Sequence, residues 1–347
     1  MPGFKPRRPQ KRTKLSASAL ATPFDSLVPV DRVNVLPRAR QNDPRWGHHV
    51  SFSTQEIPRP TRALKPVVSI VGCPDDTGVR LNYGRSGASK GPESIRKQFY
   101  AMTLPMHAQW EESFELWDLG DIRVENEIAQ THKHLERSAQ WAASFSDTVI
   151  ILGGGHDFAA PGIRGAFSDF SRRPNVLNVD VHLDVRPLEG NLPHSGCAMR
   201  LLTEEKKATI LQFGAQSQRN SKSAFAFCKK NGIPLYPYAD YQNSRLPITA
   251  QLRRFLSVTP APLHALTMDI DACHDGSGVS APTVLGFSAL ELVSLAAYCA
   301  RFPSLRYLEL AEVAPECESL PRSSQIAAQI LWGFLEARFT RAKKSRR

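Results

Sequence analysis

Short apolar runs alternate with longer segments of mixed polarity along most of this chain. Apolar runs that end at glycine or at an acid are typical of buried strands. Strands are predicted at residues 67–71, 147–152, 176–184, 207–213, 263–270 and 304–313. Helices are predicted at residues 93–100, 128–144, 221–231, 288–301 and 323–337. This alternation predicts an α/β protein with three α/β/α layers, in which helices cover both faces of a central, mostly parallel sheet.

The two ends of the chain differ from its middle. Residues 1–65 hold nine prolines and little periodicity, so they are predicted to form an extended arm. Residues 1–14 carry six Lys and Arg without an acid, and residues 337–347 carry six more. The residues between these segments hold 32 Lys and Arg against 33 Asp and Glu, so the net charge of +11 belongs to the ends. We expect one folded domain at residues 66–336 and a basic tail at 337–347.

Composition excludes several classes of protein. No run of 18 apolar residues exists, so a membrane span is not expected. The six cysteines are scattered without a CxxC pair, which argues against a disulfide scaffold or a thiolate zinc site and favours a reducing, cytoplasmic location. The acid-free first 24 residues leave organellar targeting open. Basic tails are usually solvated, so nucleic acid is not expected as a partner, although tails that bind RNA or anionic membrane are an alternative.

Ionisable residues concentrate where three predicted strands end, which is where α/β sheets place their sites. Gly153–Gly155 allow a tight exit from the second strand and leave His156 just beyond it. The alternative is a glycine-rich turn in which Asp157 caps the next helix.

Asp180, His182 and Asp184 follow the apolar start of the third predicted strand. Residues at i, i+2 and i+4 of a strand share one face. An exposed polar face is the alternative, but a strand of a central α/β sheet is covered on both sides. Neighbouring buried carboxylates repel each other and require positive charge, which a metal ion supplies.

Asp269 and Asp271 repeat this pattern at the end of the fifth predicted strand. Together the three strand ends offer four carboxylates and two imidazoles, more than one closed structural zinc site uses. This number suits two metal ions about 3.5–4 Å apart. Ligands rich in oxygen and free of thiolate favour two Mn²⁺ over zinc or copper, with another divalent ion such as Ni²⁺ as the alternative.

These motifs resemble those of the ureohydrolase superfamily, which includes arginase, agmatinase and formimidoylglutamase. The family's GG(G/D)H, DxHxD and DxD motifs match here in order, at residues 154–156, 180–184 and 269–271. The resemblance runs from about residue 67 to residue 336 and implies the arginase-like fold. It also implies that the metal ligands are His156, Asp180, His182, Asp184, Asp269 and Asp271. Homo-oligomers, trimers or hexamers, are implied as well.

Glu312 lies in an Ala-Glu-Val-Ala-Pro segment that resembles the family's EVNP segment, with Ala314 in place of its Asn. The resemblance implies that Glu312 binds the cationic amidine or guanidine of the substrate, and a carboxylate can accept two hydrogen bonds from that planar cation. An ordinary helix-cap or surface acid is the alternative. Asp184 is expected to take a proton from the attacking water, and His194 to carry one to the leaving amine.

The formimidoylglutamase branch gives the closer resemblance. Residues 76–92 resemble its DxGVxxNxGRxGAxxGP pattern, residues 184–196 its DxRPL…HSG and residues 278–282 its GVSAP. Through these motifs Asn82, Arg85, Arg186 and Ser195 are expected to bind substrate together with Glu312. An Arg at position 186 suits a substrate carboxylate, unless it pairs with a neighbouring acid. Residues 197–199 and 273–276 depart from the family pattern, and both lie where substrate choice would be decided.

The sequence therefore predicts a hydrolase of small-molecule amidines, with N-formimidoyl-L-glutamate, a histidine-degradation intermediate, as its substrate and L-glutamate and formamide as products. Another amidino-hydrolase, acting on arginine, agmatine or a small guanidine, is one alternative. An inactive, metal-binding homologue that serves as a subunit is another.

Overall fold

The computed structural model describes residues 24–38, 42–53, 65–104 and 113–339. These residues contain ten strands: β1 Leu27–Val28, β2 Val50–Phe52, β3 Val67–Gly72, β4 Glu115–Ile122, β5 Thr148–Leu152, β6 Asn175–Val179, β7 Thr209–Phe213, β8 Leu235–Tyr236, β9 Ala265–Asp269 and β10 Tyr307–Ala311. They form one sheet in the order β1-β4-β3-β5-β10-β9-β6-β7-β8, and β2 also pairs with β4. Only the pairing of β1 with β4 is antiparallel among these strands. The predicted, mostly parallel central sheet is confirmed.

Helices cover both faces of this sheet. In the described ranges they are α1 Arg32–Val35, α2 Thr77–Leu81, α3 Gly91–Tyr100, α4 Ile128–Phe145, α5 Ala159–Ala166, α6 Ala198–Glu204, α7 Lys222–Lys230, α8 Tyr238–Gln242, α9 Ile248–Ser257, α10 Ala289–Ala300 and α11 Arg322–Phe339. Not one of them has the length and apolar character that a membrane crossing requires.

Successive side chains of the central strands enter two separate cores. On β5, Ile150 and Leu152 pack in the core that α3, α10 and α11 cover, whereas Val149 and Ile151 pack in the core under α4, α5 and α6. Every residue of β3, β5, β6, β9 and β10 is buried. A strand covered on both faces has apolar residues at nearly every position, which is why the sequence pattern predicted these strands.

Part of the predicted N-terminal arm packs on the domain. β1 and β2 both pair with β4, and the ring of Trp46, which is buried, lies 5.2 Å from that of Phe99 on α3. Residues 1–23, 54–64 and 340–347 lie outside the described residues, and with them most of the two basic segments. The division of the chain at residues 65 and 337 stays a prediction.

The apolar pattern did not predict β4, because Asp118 and Asp121 interrupt its apolar residues. Arg96 on α3 compensates both acids: its Nε donates to Asp118 at 2.8 Å and its Nη1 to Asp121 at 2.5 Å. Burial opposes the charge of this guanidinium, but the two carboxylates raise its pKa above the usual value. Tyr100 also donates to Asp118, at 2.5 Å. A paired and hydrogen-bonded buried charge allows this acidic strand to join the sheet.

Three predicted strands end earlier than expected. β6 ends at Val179 rather than at residue 184, β9 at Asp269 rather than at residue 270, and β10 at Ala311 rather than at residue 313. Asp180 and the residues after it therefore lie in a loop, where alternation between two faces does not apply. The prediction that Asp180, His182 and Asp184 share one face of a strand is wrong.

Candidate metal centre

Four strands that are neighbours in the sheet end at the same edge. In the order β5, β10, β9 and β6 they run parallel, so their carboxyl ends lie side by side. The segments that leave these ends begin at residues 153, 312, 270 and 180. Residues that are far apart in the chain are thereby brought together at the edge where parallel α/β sheets bind ligands.

The segment after β5 requires its glycines. A Cβ atom at Gly154 would lie 1.9 Å from the carbonyl oxygen of Asp75, and one at Gly155 would lie 2.3 Å from Oδ1 of Asp157. The backbone can approach this closely only without a side chain. The tight exit predicted from the glycines is present, and it leaves His156 at the start of a short 3-10 turn, fully buried.

The loop after β6 turns sharply twice. Oδ1 of Asp180 accepts a hydrogen bond of 2.7 Å from the backbone N–H of His182. Asp184 has a φ of +49°, in the left-handed region that few residues other than glycine adopt. Between them, the N–H of Leu183 donates to Asn220 at 2.8 Å. These turns, rather than the pleat of a strand, direct the three predicted ligands to one place.

Four of the predicted ligands form a first buried group. Nδ1 of His156 lies 2.9 Å from Oδ2 of Asp184, 3.4 Å from Oδ2 of Asp180 and 3.5 Å from Oδ2 of Asp269. One possible ligand atom from each residue lies within 4.8 Å of the others. The four residues come from the ends of β5, β6 and β9, so this group depends on the order of strands in the sheet.

A second group combines Asp180 and Asp269 with His182 and Asp271, again within 4.8 Å. Nδ1 of His182 lies 3.5 Å from Oδ1 of Asp180 and 3.3 Å from Oδ2 of Asp271. Oδ1 of Asp269 accepts from the N–H of Asp271 at 2.8 Å, which turns the chain directly after β9. Asp180 and Asp269 belong to both groups, the arrangement expected of carboxylates that two ions share.

The donor atoms of this cluster fit divalent cations. Nδ1 of His156 and one oxygen each of Asp180, Asp184 and Asp271 are buried without a hydrogen-bond partner. A buried polar atom without a hydrogen-bond partner or a ligand lowers the stability of the folded protein by about 1–3 kcal/mol. Carboxylate and imidazole ligands without thiolate suit Mn²⁺. The chemistry of the donor set therefore agrees with the metal centre predicted from the motifs.

The pKa values of the cluster reflect its need for positive charge. Burial opposes the charge of His182, yet Asp271 and Asp180 raise its pKa to about 12. Burial also disfavours protonation of His156, but the surrounding carboxylates raise its pKa well above the usual value. Burial raises the pKa of Asp271 to about 6. Protons on the imidazoles and a divalent cation neutralise the same carboxylates, so the two compete.

Glu312 stands beside this cluster at the end of β10. Its Oε1 accepts a hydrogen bond of 2.7 Å from the backbone N–H of His156, and its Oε2 is buried without a partner. Burial and the nearby carboxylate of Asp269 raise the pKa of Glu312 well above the usual value. Its φ of +68° is again left-handed. Glu312 therefore has one oxygen fixed by the protein and one oxygen available to a ligand.

Glu309 is a second buried acid of β10, and it lies outside both groups. Oε2 accepts a hydrogen bond of 3.1 Å from the hydroxyl of Tyr307. Burial raises the pKa of Glu309 to about 8, although the neighbouring His156 opposes the shift. The described part of the sheet thus holds a carboxyl group that is largely protonated at neutral pH.

A cavity of about 360 Å³ opens onto the cluster. Its walls come from residues 82–84, 182, 184–186, 195–196, 218–221, 224 and 280–281, together with Asp269, Asp271 and Glu312. Four of the predicted substrate-binding residues therefore line one cavity: Asn82, Arg186, Ser195 and Glu312.

Arg186 belongs to a short polar network on the cavity wall. Its Nη1 donates to Oδ1 of Asn82 at 3.0 Å, and Nδ2 of Asn82 donates to the hydroxyl of Ser195 at 3.0 Å. A Cβ at Gly196 would lie 2.9 Å from the Asn82 amide, so the network leaves no space for a side chain there. Among the described residues no carboxylate pairs with Arg186, which argues against the alternative of a structural ion pair.

Two predicted site residues, Arg85 and His194, belong neither to the cluster nor to the lining of the cavity. The guanidinium of Arg85 donates to the carbonyl oxygens of Ser277 and Val279, which anchors the loop before residue 280. His194 is buried: its Nδ1 accepts from the N–H of Gly196 at 3.2 Å and its Nε2 lies 3.0 Å from the carbonyl oxygen of Pro187. Both ring nitrogens thus contact backbone groups. The proton-carrying role predicted for His194 stays a prediction.

Arg219 and Ser280 line the cavity and were not predicted as site residues. Ser280 belongs to the segment 278–282, which resembled the formimidoylglutamase branch without pointing to any role. Arg219 lies between Gln216 and Asn220, in a stretch that resembles a further motif of that branch, but it is not itself one of the motif residues.

Comparison with known proteins agrees with this geometry. The model of the family described as Arginase family matches residues 67–336. The formimidoylglutamase of Staphylococcus haemolyticus is 28% identical over 278 residues, which cover 78% of this chain and 86% of that protein. The formimidoylglutamase of Streptococcus gordonii is 29% identical over 304 residues, which cover 83% of this chain and 89% of that protein.

Solved structures are similar over most of their length. A crystal structure of Trypanosoma cruzi formiminoglutamase with Mn²⁺ is 26% identical, has a TM-score of 0.75 and covers 86% of this chain and 100% of its own. Proclavaminate amidino hydrolase from Streptomyces clavuligerus has a TM-score of 0.72 at 18% identity, covering 87% of this chain and 98% of its own, and shares the fold.

Proposed function

This chain belongs to the arginase family, and on that premise we propose that it hydrolyses N-formimidoyl-L-glutamate to L-glutamate and formamide. At the level of reaction class it is a formimidoylglutamase-like hydrolase of C–N bonds in linear amidines. The observation that carries the choice of substrate is the charge distribution of the cavity. Glu312, Asp184, Asp269 and Asp271 line the same cavity as Arg186, and no carboxylate of the described residues pairs with Arg186. A substrate with a cationic amidine and a carboxylate complements charges of both signs.

The six clustered residues are proposed to hold two Mn²⁺, with Asp180 and Asp269 shared between them. Divalent ions bound here would lower the pKa of a water from ~15.7 towards ~7 and so supply a nucleophile at neutral pH. The Mn²⁺ in the T. cruzi structure supports this choice of ion for the present chain.

Glu312 is proposed to orient the amidine. Its partner-free Oε2 accepts from one amidinium nitrogen, while the bond from His156 to Oε1 keeps the carboxylate in place. A carboxylate that faces a planar N–C–N cation fixes the plane of that cation, which exposes the carbon to attack from one side.

Asp184 is proposed to carry the proton. One of its oxygens is buried in the cluster without a hydrogen-bond partner, beside His156. In the reaction a C–O bond forms at the amidine carbon, the C–N bond to the glutamate nitrogen breaks, and one proton of the water passes to that nitrogen. Because both ring nitrogens of His194 contact backbone groups, we propose that Asp184 both removes and delivers the proton.

Steady-state turnover of a substrate panel tests this function. Mn²⁺-loaded protein is assayed with N-formimidoyl-L-glutamate, L-arginine, agmatine and 4-guanidinobutyrate. We expect the highest kcat/KM with N-formimidoyl-L-glutamate. Faster turnover of a guanidine would make the chain a different amidino-hydrolase, and no turnover by protein with a full metal content would indicate an inactive homologue. The cytoplasmic location and the trimer or hexamer remain predictions, the latter open to measurement by light scattering.

A further inference from the structure

A row of polar side chains crosses three neighbouring strands of the sheet. Gln212 on β7 is in register with Asn178 on β6, and Asn178 is in register with Thr267 on β9. Residues in register on neighbouring parallel strands place their side chains on the same face of the sheet. All three side chains are fully buried. Because burial of a polar group is unfavourable unless the group is hydrogen-bonded, this row requires partners for its amides and its hydroxyl.

The row forms a continuous chain of hydrogen bonds that ends outside the sheet. The hydroxyl of Thr267 donates to Oδ1 of Asn178 at 2.8 Å, and Nδ2 of Asn178 donates to Oε1 of Gln212 at 3.0 Å. Nε2 of Gln212 donates to the carbonyl oxygen of Leu183 at 2.7 Å. Since a carbonyl oxygen can only accept, it determines which end of each amide faces which neighbour. The chain therefore has one direction and ends at Leu183, in the loop after β6.

Leu183 directly precedes Asp184, whose backbone is held from both sides. The carbonyl oxygen of Leu183 accepts from Gln212, and the carbonyl oxygen of Asp184 accepts from the N–H groups of Met199 and Arg200, at 3.0 and 3.2 Å. The φ of Asp184 is the rotation that relates these two carbonyl groups, so anchoring both of them holds φ at +49°. A residue other than glycine keeps a left-handed φ only where its surroundings impose it.

We propose that the chain from Thr267 to Gln212 positions a ligand of the metal centre: it fixes the backbone of Asp184 and so directs the carboxylate towards His156. Nδ1 of His156 lies 2.9 Å from Oδ2 of Asp184, in the first buried group. Gln212 itself belongs neither to the cluster nor to the lining of the cavity. This inference rests on the metal centre of the proposed function and adds positioning residues to it. A side chain that orients a metal ligand typically contributes about 10–100-fold to metal affinity.

Gln212→Met tests the proposal, because it removes the donor and keeps the length of the side chain. Calorimetric titration of metal-free protein with Mn²⁺ measures both binding steps without turnover. We expect a loss of about 10–100-fold in the step that Asp184→Ala abolishes, whereas the step of the second group, which lacks Asp184, should change little. Two unchanged steps would overturn the proposal. Equal weakening of both steps would also overturn it, since Gln212 would then support the loop as a whole.

Gln251→Met is the matched control. Gln251 is likewise a buried amide, whose Nε2 donates to the carbonyl oxygen of Leu246 at 2.7 Å and whose Oε1 accepts from the hydroxyl of Tyr236 at 2.8 Å. It lies on α9, outside the cluster and the cavity lining. Both variants should lower the Tm of metal-free protein, but only Gln212→Met should weaken binding of Mn²⁺. Equal losses of Mn²⁺ affinity would mean that affinity merely follows stability, and would overturn the proposal.

Thr267→Val tests the far end of the chain with a milder substitution, since valine has the shape of threonine without its hydroxyl. The variant leaves Oδ1 of Asn178 without its donor, so that the amide of Asn178 holds Gln212 less firmly. We expect the same binding step to weaken, but less than in Gln212→Met, because the bond to Leu183 remains. Unchanged Mn²⁺ binding by Thr267→Val would overturn the proposal, also where Gln212→Met does not fold.

These titrations do not depend on the substrate, so they separate the role of the chain from the proposed reaction. If the native protein binds two ions without hydrolysing N-formimidoyl-L-glutamate, the reaction fails and the Mn²⁺ affinities of the variants still decide the role of Gln212. If the native protein hydrolyses this substrate and Gln212→Met binds both ions as tightly as the native protein, the reaction stands and the role of the chain fails. Native protein that binds no Mn²⁺ would overturn the metal centre and this inference with it.

Discussion

The carboxylate of Glu312 and the backbone N–H of His156 are joined by a hydrogen bond of 2.7 Å. This bond connects the residue after β10 with the residue of the buried His and Asp cluster that follows β5. Since it uses Oε1 only, the same side chain can hold the strand ends together and still offer Oε2 to a substrate.

Glu312→Gln is therefore expected to separate binding of the amidine from binding of metal. A glutamine oxygen can still accept from the N–H of His156, so metal content should stay normal. The charge that faces the amidine is lost, and kcat/KM should fall by roughly 10²–10³, the scale found when a pre-organised contact to a transition state is removed. Metal analysis and kinetics of the same preparation provide the check. Loss of metal together with loss of activity would indicate that Glu312 is a metal ligand instead.

Asp184→Ala and Asp271→Ala should lose metal. Each variant removes a ligand from a different one of the two groups, so each should bind at least one ion fewer than the about two expected per chain of the native protein. Turnover should fall essentially to zero. Elemental analysis after loading with Mn²⁺ measures the stoichiometry, and Asp240→Ala on the exposed side of α8 is the matched control. Full activity of metal-free protein would contradict the metal centre.

Arg186→Ala should reduce the preference for a substrate that bears a carboxylate. A hydrogen bond between ionised groups contributes about 1.5–3 kcal/mol, which corresponds to a roughly ten- to hundred-fold preference for N-formimidoyl-L-glutamate over agmatine. The variant should lose most of this preference and retain its metal, while Arg186→Lys recovers part of it. Steady-state kinetics on both substrates provide the comparison. Equal losses on the two substrates would show that Arg186 is structural.

His194→Ala should lower stability without changing how kcat depends on pH. The substitution leaves the N–H of Gly196 and the carbonyl oxygen of Pro187 without their imidazole partner, at a cost of about 1–3 kcal/mol. Thermal unfolding measures the loss, and His194→Asn, whose side chain can still accept from the Gly196 N–H, should lose less. If the variant is as stable as the native protein but a pKa disappears from its kcat profile, His194 carries a proton after all.

Glu309→Gln should change the pH dependence of stability. The pKa of Glu309 is about 8 in the folded protein and near its ordinary value in the unfolded chain. The folded state therefore binds more protons between these two values, and the native protein loses stability as pH rises from about 5 to 8. The variant lacks this loss. As pH rises from about 5 to 8, the free energy of unfolding of the variant should therefore increase relative to that of the native protein, by on the order of a few kcal/mol.

Metal-free protein is used for the Glu309 experiment, and denaturant unfolding at several pH values measures the difference. Glu189→Gln, an exposed position, serves as the control and should follow the native protein. A constant difference between native protein and Glu309→Gln from pH 5 to 8 would contradict a raised pKa.

Much of the fold could be predicted because the central strands are buried on both faces and read as apolar runs. β4 could not be predicted, because it contains acids that are buried only together with Arg96. Arg96 lies about twenty residues earlier in the chain, and the periodicity of apolar residues carries no information on such ion pairs. In the site, the motifs located the clustered residues, but the strand argument for Asp180 to Asp184 failed. The conformation of this loop is fixed by hydrogen bonds to the side chains of Asp180 and Asn220 and by the left-handed backbone of Asp184. The local sequence pattern predicts none of these features.

The role of a side chain that depends on its hydrogen-bond partners could not be predicted from the sequence either. His194 resembled a proton carrier because histidine titrates near neutral pH, and only the positions of the Pro187 and Gly196 backbone groups reveal that its nitrogens are engaged. Arg219 is the opposite case: its residue type and position give no indication of a role, and only the structure shows that it lines the cavity.

The position of β10 has a consequence for how the protein matures. Among the described strands β10 comes last in the chain, yet it lies between β5 and β9, so it joins two halves of the sheet that are already synthesised. The half with β6 and β9 carries all four residues of the second group, whereas the first group also needs His156 from the half with β5. During synthesis, the second group therefore has all four of its residues once Asp271 has emerged, whereas the first group is assembled only when β10 joins the two halves of the sheet. Until then β5 and β9 have exposed edges, which are prone to aggregate.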